Sequence, residues 1–127
     1  MRGLNKLYYL RLDIRDLQEE IKSIPDVSGM NYSGMPHSTD VSDQTFNLVL
    51  KKERLIERLN RKIEQYLDEL ARIENIIDGI EDVEIRTIAR MRLIQNMKWE
   101  DIGEQVHLDR TVCSKKLRKY LKNMNLE

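Results

Sequence analysis

The chain has 127 residues, the size of one ordinary domain or two small units. Its 22 Lys and Arg balance 22 Asp and Glu, and charged residues reach 35% against roughly 25% in an average soluble protein. With aromatics at only 6%, this excludes an aromatic-rich sandwich or barrel core and points to solvated helices.

The longest apolar run, Leu7-Tyr8-Tyr9-Leu10, falls far short of the ~20 residues needed to cross a bilayer. No apolar stretch followed by a small-residue cleavage site stands near Met1, so no secretory signal is expected. A single cysteine, Cys113, excludes an internal disulfide and a cysteine-based zinc site, and fits a reducing compartment. The expectation is a soluble, cytoplasmic, all-α protein without a membrane partner.

Zero net charge hides an asymmetry. Residues 1–83 carry four more acids than bases, and residues 84–127 carry four more bases than acids. From Arg110 to Lys122 there are six bases and no acid, so this end can face a polyanion.

In chain order, Leu7, Leu10, Ile14, Leu17, Ile21 and Ile24 alternate steps of three and four, a heptad seam. Pro25 closes it, because the residue before proline is pushed out of the helical region. In a parallel self-pair Lys6 would meet Arg11, so the flanks favour an antiparallel partner by tenths of a kcal/mol. Residues 25–42 hold both prolines and two glycines and lose all period, which predicts a loop. Asp40 or Ser42 is then expected to cap a helix over 43–78, about 54 Å long.

That helix carries an apolar stripe of Leu48, Leu55, Leu59, Ile63, Tyr66, Leu70, Ile73 and Ile77, interrupted by Lys52. Charged neighbours, among them Glu53, Glu57, Arg58 and Lys62, coat its outer face. Such a narrow stripe requires packing on the first helix, on another subunit, or on both. Gly79 is expected to stop the helix in the left-handed region. Asp82 should cap a third helix carrying Ile85, Ile88, Ala89 and Leu93, with a break near 95–98. Two short helices follow, over 99–106 and from 110 to about 124.

The segment WEDIGEQVHLDRTVCSKKLRKYL, residues 99–121, has the offsets of a helix-turn-helix. Ile102-Gly103 pairs a bulky residue with a very small one where two helices cross, and Val106 and Leu108 flank the turn. His107 stands where positive φ is wanted, and it is among the more tolerant non-glycines. Asp109 is a strong N-cap residue, and Cys113, Leu117 and Leu121 form the inner face of the last helix. Lys116 takes a seat that is usually apolar. Two amphipathic helices at a tight turn are common as packing alone, but the small crossing residue, the cap and the acid-free basic run together point to double-stranded DNA.

Major-groove bases are read from the start of the second helix, which assigns that role to Arg110, Thr111, Ser114 and Lys115. Lys98, Arg118, Lys119 and Lys122 are placed for phosphates, which fix register without reading sequence.

Residues 82–121 resemble the promoter-reading C-terminal domain of sigma factors, with Arg90-Met91-Arg92-Leu93 closing the third helix before the WEDIGEQV segment. The order of heptad helix, Gly34-Met35-Pro36 linker, second heptad helix and this domain is similar to phage-encoded sigma-like late transcription regulators of the ArpU and RinA type. The resemblance implies a phage or prophage late-gene activator in a bacterial host cell. Lys98 replaces the usual Ser or Thr cap of these proteins and His107 their turn glycine; nothing resembles the promoter-melting sigma domain.

The division expected is a helical hairpin or coiled coil over 1–79, which oligomerises, and a helix-turn-helix domain over 80–127. A homodimer or larger assembly is favoured because a lone module makes few contacts. Trp99 reads as a core anchor, Cys113 as a small apolar filler, and His37 and His107 as unrelated to any metal. No phosphate loop, triad or carboxylate pair can be assembled, so neither enzyme activity, metal nor cofactor is expected. Two other readings stay open: a small terminase subunit for phage DNA packaging, and a module that docks on RNA polymerase.

Overall fold

The computed structural model describes residues 4–25 and 39–126, and every regular element among them is helical. The elements are α1 (Lys6–Ser23), α2 (Thr39–Asp78), α3 (Val83–Ala89) continuing into a π-helical turn (Arg90–Ile94), α4 (Trp99–Val106) and α5 (Arg110–Asn123). Among the described residues no helix is long and apolar enough to cross a membrane. Most of the expected 25–42 loop, including His37 and the Gly34-Met35-Pro36 linker, lies outside the described residues.

α1 ends at Ser23, two residues before Pro25, as the proline requires. α2 begins four residues earlier than expected, so Asp40 and Ser42 lie inside the helix and do not cap it. The reason is local: from Thr39 to Asp78 the sequence contains neither glycine nor proline.

Packing groups the described residues into two compact units, one within Leu12–Glu64 and one within Met1–Arg11 and Gln65–Glu127. The change in sequence pattern at 79–80 therefore falls inside a packing unit. In the Leu12–Glu64 unit, Leu17, Ile24 and Leu55 are buried together, with Ile21, Leu48 and Leu59 half-buried against them. The two heptad faces thus share one apolar cluster. Lys62 pairs with Asp13 of α1 at 3.4 Å, in place of an acid on its own helix.

In the other unit Leu4 and Leu7 at the start of the chain pack with Ile73, Ile77 and Ile80. The same core takes in Ile88, Ala89, Leu93, Ile102, Cys113, Leu117 and Leu121. Leu4 stands two residues ahead of α1 and three before Leu7, outside the helical seam that the sequence predicts from Leu7 onward. Glu69 is 7% exposed, and the Arg72 guanidinium answers it at 2.5 Å, which holds Arg72 above its ordinary pKa, chiefly through that hydrogen bond.

Gly79 follows α2 as expected, but not in the left-handed region: no glycine among the described residues has positive φ. The chain turns through Gly79 N–H to Asn75 O at 3.2 Å and Ile80 N–H to Ile77 O at 3.0 Å, which drops Ile80 into the core at 1% exposure. Asp82 caps α3 as its sequence position predicts, its Oδ1 accepting from Ile85 N–H at 3.1 Å. The π turn was not foreseen. Gln95 N–H reaches back five residues to Arg90 O at 3.1 Å, and Asn96, at φ 55°, ends the widened turn.

Candidate nucleic-acid interface

α4 has the expected limits, and its apolar side buries Ile102 and Gly103. Helix formation stops at His107, which adopts φ 59° and ψ 41°, the left-handed conformation the turn needs. Leu108 N–H then bonds Gly103 O at 3.0 Å, folding the turn back over the end of α4. Gly103 permits this. A Cβ there would lie 2.5 Å from Leu108 O and 3.3 Å from Arg110 N, both backbone atoms.

The left-handed site also yields a prediction. A β-carbon in that conformation costs about 1–2 kcal/mol, histidine less than most, and glycine's own flexibility offsets about half of the gain. His107→Gly should therefore stabilise the fold by about 0.5 kcal/mol, read as a rise of a few degrees in thermal midpoint. A fall would mean that the histidine ring contributes more than its backbone costs.

Asp109 occupies the N-cap position of α5 with extended backbone, φ −63° and ψ 142°, but makes no capping bond to the helix. Its Oδ2 instead accepts from the Thr111 hydroxyl at 3.4 Å, a competing local partner. The expected cap is therefore one of position only. Behind it Cys113, Leu117 and Leu121 are fully buried, and burial pushes the Cys113 thiol above its ordinary pKa.

Four of the eight residues singled out for DNA gather at one concavity of about 630 Å3. They are Lys98, Arg110, Thr111 and Ser114, joined by Arg92, Trp99 and Glu100. Lys98 is exposed at the N-cap of α4, where its side chain makes no capping bond. Lys115, Arg118, Lys119 and Lys122 are exposed along α5 and do not line this concavity.

Electrostatics differ from a plain basic run. Arg110 Nη1 donates to Glu100 Oε1 of α4 at 3.0 Å, with both side chains more than half exposed. Lys116, in its unusual seat, pairs with Glu84 of α3, and that hydrogen bond raises its pKa. Two of the six bases from 110 to 122 are thus matched by acids from helices earlier in the chain.

Arg92 is the residue that sequence reading passed over. Its Nη1 donates to Met97 O at 2.9 Å and its guanidinium lies over the Trp99 ring, 4.7 Å from the centroid. Burial, and then the nearby Arg118 charge, push its pKa down. It therefore fixes the break before α4 and anchors Trp99, which packs half-buried against the core. The available signal was its place in the Arg90-Met91-Arg92-Leu93 string, but a π turn shifts the facing of those residues from a 3.6 period. Among the described residues no group of His, Cys, Asp and Glu could hold a metal ion. Compared with protein-family models, curated proteins and solved structures, the chain matches none.

Proposed function

We propose that α4, the His107 turn and α5 form a helix-turn-helix whose α5 enters the DNA major groove. The protein is then a sequence-specific transcription regulator. The observation that carries this reading is the closeness of Gly103 to the Leu108 carbonyl, 2.5 Å from an added Cβ. So tight a crossing braces α5 against α4 while its unburied side keeps Lys115, Arg118, Lys119 and Lys122 exposed and free of ion pairs among the described residues. In this reading Arg110, Thr111, Ser114 and Lys115 meet base edges, and Lys98, Arg118, Lys119 and Lys122 meet phosphates. The resemblance to phage sigma-like proteins supports a late-gene activator acting in the bacterial cytoplasm, with RNA polymerase as a second partner.

Selection of bound duplexes from a randomised library at about physiological salt tests the reading. Enrichment of a motif, above all one with two half-sites, is the expected result. Salt-sensitive binding without a motif would replace it with a packaging role. Absence of binding would leave the basic side of α5 as a protein-docking surface.

A further inference from the structure

The heptad faces of α1 and α2, expected to pack on each other, on another subunit or on both, share one cluster within the Leu12–Glu64 unit. Yet α2 carries a second heptad, displaced around the helix from the first. Phe46, Val49, Glu53, Ile56, Asn60 and Ile63 alternate steps of three and four. Three of its four apolar members are open to solvent: Phe46 is 62% exposed, Val49 38% and Ile56 39%, while Ile63, shared with the first stripe, is half-buried. Exposed β-branched and aromatic residues in heptad register are expensive to leave in water.

We propose that this face of α2 pairs in parallel with the same face of a second copy of the chain. Three features select that occupant. In the parallel register Glu53 takes a first seat facing its own copy, and Lys52 of each chain lies beside that acidic pair and opposite the second copy's Glu57, a contact that two-fold symmetry makes twice and that offsets the repulsion. Among the described residues none of these three side chains has an ion-pair partner within the chain. Asn60 takes a first-seat position, where self-pairing of the amide sets register in two-stranded coiled coils. An antiparallel pair turns the side that carries Glu57 and Glu64 toward itself and loses the Lys52 contact. The proposal does not depend on the DNA-binding reading.

Sedimentation equilibrium on the full chain tests it without DNA. A dimer at micromolar concentration is expected. Ile56→Lys should give a monomer of unchanged helix content, because Ile56 makes no part of the buried core. Lys52→Glu and Glu57→Lys should each weaken the dimer about fivefold to tenfold, and the double exchange should recover part of that loss, the rest being the new repulsion with Glu53. A monomer at about 100 μM overturns the proposal, as does a dimer that survives Ile56→Lys. A double exchange that pairs no better than either single variant overturns the parallel register. If deleting residues 26–38 turns a monomer into a dimer, the face belongs to that segment and the proposal also fails.

Discussion

Gly103→Ala should unfold the C-terminal helices well below the temperature at which the parent chain melts. The added methyl meets two backbone atoms, the Leu108 oxygen at 2.5 Å and the Arg110 nitrogen at 3.3 Å, and neither can rotate away as a side chain would. Relief requires α5 to shift on α4, and with it Cys113, Leu117 and Leu121, all fully buried. Overpacking of this kind costs about 1–3 kcal/mol, against about 1 kcal/mol regained from alanine's better helix propensity. Because the obstacle is backbone, the upper end applies, and a net loss of about 2 kcal/mol follows, roughly 10 °C in thermal midpoint for a unit of this size.

Gly79→Ala is the control. Its Cβ would meet only Ile76 O at 3.4 Å and Asn75 O at 3.6 Å, ordinary contacts at an ordinary φ. It should be neutral or stabilise by up to about 1 kcal/mol. Equal losses at both glycines would remove the close crossing as an explanation of why α4 carries a glycine.

The second large effect is expected on DNA rather than on stability. If α5 reads DNA as proposed, Arg110→Ala should weaken binding to the selected site by about 1–3 kcal/mol, the magnitude of a bidentate contact to guanine, and weaken binding to random duplex far less. The pair with Glu100 does not prevent this, since an exposed ion pair contributes ~0–1 kcal/mol and a groove contact outweighs it. Lys122→Ala should weaken both duplexes alike and reduce the salt dependence by about one phosphate contact. Competition titrations at several salt concentrations measure both. Equal losses with the two variants would show that the reading face lies elsewhere on α5. A stronger, less selective Glu100→Gln variant would show that the acid restrains Arg110 against arbitrary DNA.

Much of the architecture was legible because helices declare themselves locally. Steps of three and four named the α1 and α2 stripes, Pro25 ended α1, and Asp82, Trp99, His107 and Arg110 marked the limits of the short helices. Even the close crossing was visible, since Ile102-Gly103 pairs a large with a very small residue at the needed offset. These are properties of residues within one or two turns of each other.

What tertiary structure alone decided lies between segments distant in sequence. Glu100 and Glu84 neutralise Arg110 and Lys116 from 10 and 32 residues away, so the charge of the basic run could not be read from the run itself. Leu4 joins a core built mostly from residues after Ile73, and Arg92 turns from a helix residue into the brace of Trp99 through a π turn. Sequence by itself determined most of the helical residues, short of the first turn of α2 and the π turn after α3, and which side of each helix is apolar, because backbone propensity and periodicity act locally. Which acid meets which base, and which apolar face is spent inside the chain, depended on how helices pack, an energy that no single segment contains.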